Sequence, residues 1–104
     1  MKASSVTYTT KAEFAEQNQE NIRSVMNDLQ KMQIPGIRYA SFLKADGKTF
    51  FHMVFFQSDE DQKTLNELSS FKHFQKELQA SEPEMPPKPE GLTLVGSSND
   101  IFNS

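Results

Sequence analysis

The stretch that most constrains this chain is Phe50-Phe51-His52-Met53-Val54-Phe55-Phe56, a β-prone run that is apolar on both faces. A strand of an antiparallel sheet with one wet face alternates apolar and polar side chains, so a run without alternation needs a cover on each side. Ile37 to Lys44 reads as the preceding strand, and Ala45-Asp46-Gly47-Lys48 sets an Asp-Gly pair between the two β-prone runs, a strong hairpin signal. One hairpin strand must therefore be met by helices on one face and by a partner, a ligand or a second chain on the other.

The neighbouring segments supply the helices. Thr10 followed by Glu13 predicts a capping box, in which each side chain would satisfy a backbone N–H at a helix start. Phe14, Ile22, Val25, Met26, Leu29 and Met32 then recur at helical spacing to about Gln33, with Asn18 interrupting the stripe and Glu16, Gln19, Glu20 and Arg23 on the wet face. Pro35 and Gly36 end that helix. Ser58 with Asp61 predicts the cap of a second helix whose stripe is Leu65, Leu68, Phe71, Phe74 and Leu78, broken at Ser69-Ser70, where one serine would recap the second piece. Residues 5–10 form a short β-prone run with Val6 and Tyr8 on one side. Four of the five prolines fall between Pro83 and Pro89 and predict a stiff extended loop, Gly91 to Ser98 predicts the last strand, and Asn99 to Ser104 a tail. The order is β-α-β-β-α-β, so the expected architecture is α+β and ferredoxin-like: a four-stranded antiparallel sheet with two helices on one face, in a single domain over residues 1–104.

Composition narrows the functions. A net charge of −3 disfavours non-specific binding to nucleic acid or to an anionic membrane surface, both of which select for surplus lysine and arginine. Without cysteine, disulfides, thiolate catalysis and thiolate metal sites all fall away. Two histidines without helical HxxxH spacing give no metal signal. Met1 to Thr10 does not read as a signal peptide and no run is long enough for a membrane span, so the expected location is the cytoplasm.

Two stretches carry a family resemblance. Ile34-Pro35-Gly36-Ile37-Arg38-Tyr39 running into the hairpin resembles the second strand of dimeric α/β-barrel proteins, and residues 65–78, Leu-Asn-Glu-Leu-Ser-Ser-Phe-Lys-His-Phe-Gln-Lys-Glu-Leu, resemble the broken second helix of antibiotic-biosynthesis-monooxygenase-like proteins. The resemblance covers about residues 5 to 98 and implies a homodimer in which two sheets pair face to face around a small barrel, covering the second apolar face of the third strand. It also implies chemistry without a cofactor, in which O2 reacts at the carbanion of a bound phenolic or quinol substrate. Haem degradation is not implied: those relatives use an asparagine on the first strand, a tryptophan and a histidine, where this chain has Tyr8, no tryptophan, and Leu68 and Leu78.

Five residues are candidates for such a site. His52, in the middle of the most apolar strand, is a candidate catalytic base or substrate hydrogen-bonder; the alternative is a structural histidine bonded to a neighbour, since an unpartnered buried imidazole would cost about 1–3 kcal/mol. Arg38, Tyr8, Phe50 and Phe42 are candidate substrate-binding residues, with Arg38 alternatively in a rim or dimer salt bridge and Tyr8 alternatively a half-buried tyrosine with a wet hydroxyl. His73 reads as solvent-facing. A three-residue hairpin loop with Gly47 as a bulge would put Arg38, Ala40, Phe42, Phe50, His52 and Val54 on one face, in the barrel, and leave Ile37, Tyr39, Leu43, Phe51, Met53 and Phe55 for the helices. A two-residue turn would instead set His52 beside Tyr39 and Ser41 and move Arg38 away, because a one-residue slip exchanges the faces. The functional readings are a cofactor-independent monooxygenase acting on a small aromatic or quinol-like molecule, and a non-catalytic dimeric ligand-binding or stress-response module of the same fold. An RNA-recognition domain shares the element order, but the chain is acidic and the third strand lacks that motif's glycines and leading basic-glycine pair.

Overall fold

The computed structural model describes residues 1–102; Asn103 and Ser104, the end of the tail, lie outside the described residues. Strands β1 (Lys2–Thr9), β2 (Ile37–Leu43), β3 (Thr49–Phe56) and β4 (Met85–Leu92) form one antiparallel sheet in the order β2-β3-β1-β4. Helices α1 (Ala15–Met32), α2 (Asp59–Glu67) and α3 (Ser69–Ala80) pack on one face, where Ile22, Val25, Leu65, Phe74 and Leu78 meet Tyr8, Phe50 and Phe56 in a single buried core. This is the predicted ferredoxin-like plan with its second helix in two pieces. Among the described residues no helix is long and apolar enough to cross a membrane.

The second helix breaks where the two serines stand, but by a different device. Leu68 is extended (φ −66°, ψ 126°) and occupies the cap position of α3 with no side-chain hydrogen bond, so neither serine recaps the helix. At the start of α2 the predicted cap forms: Ser58 Oγ accepts from the Asp61 N–H at 3.3 Å and donates to the Asp61 carboxylate at 2.9 Å. At the first helix the predicted box does not form. Thr10 is fully buried, and its N–H and hydroxyl both donate to the Lys48 carbonyl, at 2.9 and 3.4 Å, tying the end of β1 to the hairpin loop. The chain enters α1 instead through one turn of 3₁₀ helix at Ala12–Phe14, capped by no side chain.

The last strand also differs from expectation. It spans Met85–Leu92, so most of the proline-rich segment is strand, and the residues after Leu92 are not. Proline cannot donate to a ladder and is tolerated where one side of the strand is unpaired. β4 is such an edge, and its pairing with β1 is irregular between Thr7 and Thr9, opposite Pro86 and Pro87.

The register settles the faces. Ser41 lies opposite His52 and Tyr39 opposite Val54, with Lys44 N–H donating to the Thr49 carbonyl at 2.8 Å. The loop thus holds four residues, Ala45 to Lys48, an even number that gives the parity of a two-residue turn and not that of the three-residue loop with a bulge. Asp46 stabilises it by accepting from the N–H groups of Lys48 and Thr49, at 3.0 and 2.8 Å, while Gly47 takes the positive φ of 77°. In consequence Phe50, His52, Val54 and Phe56 face the helices with Ile37 and Tyr39, and Arg38, Phe42, Phe51, Met53 and Phe55 face away. Of the two expected registers, the one in which Arg38, Phe42 and His52 share a face is overturned by this count, and the one that sets His52 beside Tyr39 and Ser41 and moves Arg38 away is found.

Candidate functional site

Between the sheet and the α2–α3 arm lies a cavity of about 610 Å³. Its wall is largely apolar: Val6 and Val54 from the sheet, Leu65, Phe71, Phe74 and Leu78 from the helices. Pro83, Pro86, Pro87 and Pro89 close one side, so the proline-rich edge strand is part of the wall. A drug-sized ligand pocket has this volume and this composition, with a few placed polar groups.

Ser4, Gln62, Asn66, Gln75 and Gln79 also reach the lining, and on the floor Tyr8, His52 and Tyr39, with Asn18 behind Tyr8, form one hydrogen-bonded chain. Asn18 Nδ2 donates to the Tyr8 hydroxyl at 2.8 Å, the Tyr8 hydroxyl meets His52 Nε2 at 2.7 Å, and the Tyr39 hydroxyl meets His52 Nδ1 at 2.7 Å. Ser41 Oγ stands further off, 3.5 Å from Nε2. Asn18, Tyr8 and His52 are 0%, 2% and 4% exposed, so water does not compete for these bonds. Three elements set the geometry: Tyr8 comes from β1, His52 and Tyr39 from the β2–β3 hairpin, and Asn18 from the first turn of α1. The rings stack as well, Tyr8 on Phe50 at 5.4 Å and on His52 at 5.3 Å.

All the titratable members of the chain are neutral near pH 7. Burial lowers the pKa of His52 to about 4, because a charged imidazole would lose its hydration. Burial likewise pushes both phenols above their ordinary value, opposed at Tyr8 by the Asn18 hydrogen bond and reinforced at Tyr39 by the nearby Tyr8. What results is an uncharged hydrogen-bond relay facing an apolar cavity.

Of the candidate residues, the structure brings together His52, Tyr8 and Phe50. Tyr8 has no wet hydroxyl; both contacts of its oxygen are to protein. Arg38 and Phe42 lie on the opposite face. The Arg38 guanidinium donates to the carbonyls of Pro35, Ile37 and Ile101 and sits 5.6 Å over the Phe102 ring, so it fastens the C-terminal tail to β2. Phe42 is 56% exposed. His73 is exposed, as expected. Tyr39 and Asn18 are the members sequence reasoning did not assign. The available signal for Asn18 was its place four residues after Phe14 and four before Ile22: a polar group inside an apolar stripe faces the core and needs a partner there. Among the described residues no three His, Cys, Asp or Glu side chains come close enough together to hold a metal ion.

Fold and site together define a ferredoxin-like α+β chain with a relay-floored cavity under a broken second helix. Solved structures with the same fold include proteins named provisionally as antibiotic biosynthesis monooxygenases. One from Bacteroides thetaiotaomicron has a TM-score of 0.82 at 9% identity, covering 96% of this chain and 94% of its own. Another from Nitrosomonas europaea has 0.72 at 20% identity, covering 90% and 89%. A third from Deinococcus radiodurans has 0.74 at 14%, covering 97% and 99%. At these identities the likeness is one of fold. No protein-family model and no curated protein matches the sequence.

Proposed function

We propose that this protein is an antibiotic-biosynthesis-monooxygenase-like enzyme that binds a small flat phenol or quinol in the cavity and oxidises it with O2 without a cofactor. The observation that supports this reading is the neutral Asn18–Tyr8–His52–Tyr39 chain on the floor of an apolar cavity of about 610 Å³. In the reaction, the ring CH2 of the substrate's keto tautomer gives a proton to water at the open mouth of the cavity, the carbanion adds O2 to form a C–O bond, and the peroxide takes a proton back and loses water to leave a carbonyl. The balance is CH2 + O2 → C=O + H2O, with O2 as the oxidant. A largely apolar wall thins the water around the carbanion and favours its capture by O2 over its reprotonation. With a pKa of about 4, His52 is too weak a base to abstract the proton near pH 7, so we assign it to orienting the tyrosines against the substrate.

A second reading has its own support: both nitrogens of His52 are taken by tyrosine hydroxyls, as in a structural histidine, which fits a binding module without turnover. An oxygen electrode separates the two when run with anthrones, naphthols and quinols, alongside calorimetric binding of the same compounds. O2 uptake above the protein-free rate, reduced in Tyr39→Phe, supports the enzyme. Binding without uptake supports the module, and neither binding nor uptake refutes both. We propose further that the protein works as a homodimer, its outer sheet face covered by a second copy. In support, that face carries Phe42, Phe51, Met53 and Phe55, and among the described residues no helix lies on it.

A further inference from the structure

Proton accounting in the buried chain carries one step more. A neutral imidazole has one N–H and one lone pair, so of two hydroxyls bonded to its two nitrogens, one donates and the other accepts. Tyr8 already accepts the Asn18 N–H. If it also accepted from His52 Nε2, its own proton would be left in the core, 2% exposed, with no acceptor. Tyr8 therefore donates to Nε2. The single ring proton then lies on Nδ1 and donates to the Tyr39 oxygen. Tyr39 keeps its own proton, its hydroxyl meets no other hydrogen-bond partner among the described residues, and its side chain lines the cavity.

The Asn18 amide fixes this direction. With Nδ2 towards Tyr8, the atom left unpartnered is Oδ1. Turned over, Asn18 would accept the Tyr8 proton and reverse every bond in the chain, but it would strand both N–H donors of its amide, in place of one N–H and Oδ1, the worse outcome in a dry site.

We propose that the fold holds His52 as its Nδ1–H tautomer so that the Tyr39 hydroxyl offers its proton to the cavity, selecting ligands that present an oxygen acceptor, a ring carbonyl or phenolate, over those that do not. Donation along the chain polarises the last O–H and strengthens that preference. The ligand half rests on the reading of the cavity as an aromatic-ligand site; the tautomer half does not.

Two measurements test it. Long-range ¹H–¹⁵N correlation on protein labelled at histidine, with His73→Gln to assign the two rings, should place the His52 proton on Nδ1. A proton on Nε2 in the native protein overturns the proposal. Binding of 1,4-naphthoquinone should be roughly three- to tenfold tighter than that of naphthalene, the gain of one neutral hydrogen bond, with the preference lost in Tyr39→Phe. Equal affinities, or a preference that survives Tyr39→Phe, overturn the specificity while leaving the cavity a ligand site. If neither compound binds, the ligand-site reading itself falls, and the specificity with it, whichever tautomer is found.

Discussion

Burial lowers the pKa of His52 to about 4, below the value near 6.5 that the unfolded chain would show. Between those two values the unfolded state takes up a proton that the folded state refuses. Stability is therefore full above about pH 6.5, falls as the pH drops towards 4, and stops responding to this group below that; the whole loss is about 3 kcal/mol. Urea unfolding at pH 7, 5.5 and 4 should show this decline, and His52→Gln should flatten it. A slope unchanged by the substitution would mean that His52 titrates normally. Asp46 acts in a separate window. Hydrogen bonds from Thr49 and Lys48 hold its carboxyl at about 2, so its contribution is lost only as the pH falls from near 4 towards 2. At this scale the sequence marked His52, because a polar group in an apolar strand demands an explanation, with Tyr8, Phe50, Arg38 and Phe42, of which the last two lie on the other face. Asn18 passed as a mere gap in a stripe, since its partner lies on another element, ten residues earlier.

The elements are joined by small devices whose effects separate cleanly. Gly36 stands where a Cβ would overlap the Asp61 carboxylate, and Asp61 closes the Ser58 cap of α2. Gly36→Ala should push Asp61 aside and cost about 1 kcal/mol, the value of a helix cap. In an Asp61→Ala background the same change should cost little, because the obstructing side chain is gone. Thermal unfolding of the four proteins in that cycle measures the coupling, and additive effects would show that Gly36 and Asp61 act independently. At β4, three prolines remove N–H groups from an exposed sheet edge, a known guard against edge-to-edge pairing. Replacing Pro86, Pro87 and Pro89 with valine should raise concentration-dependent association on a sizing column while leaving the β1–β4 pairing in place. The hairpin, the break in the second helix and the Ser58 cap were legible because each depends on a few adjacent residues. The Thr10 box and the place of β4 were not: Thr10 is claimed by Lys48, 38 residues away, and β4 is a strand only because β1 lies beside it.

For the whole molecule, the outer sheet face carries an exposed apolar row. Phe42, 56% exposed, packs on Phe51 with ring centroids 6.4 Å apart, and Met53 and Phe55 continue the apolar row. If a second copy covers that row, light scattering at low micromolar concentration should give twice the chain mass of 11.9 kDa. Phe42→Glu should shift the protein to the single-chain mass, because it sets a charge into a dry interface, and should leave the helix-side cavity intact. A wild-type protein at the single-chain mass would refute the homodimer. The Arg38 anchor bears on the same face, since it holds Ile101 and Phe102 beside β2 within the chain. Arg38→Ala should loosen the tail, read as faster amide exchange at Ile101 and Phe102, with little change at His52.

What this sequence determined by itself is the set of parts. Apolar spacing, one Asp-Gly turn and two helix-breaking signals are local, and local signals specify an element wherever the chain carries them. They were enough for the order of elements, the α+β plan and the demand that both faces of Phe50 to Phe56 be covered. Only the tertiary structure decided which side chains share a face and which meet. The parity of one loop, four residues and not three, sent His52 towards the helices and Arg38 away from them. A strand's side chains have a period of two, so a single residue of register reassigns all of them, and no local preference is strong enough to hold that count. The Asn18–Tyr8–His52–Tyr39 chain exists for the same reason: its members are 10, 44 and 13 residues apart along each bond, and only packing brings them to hydrogen-bond distance.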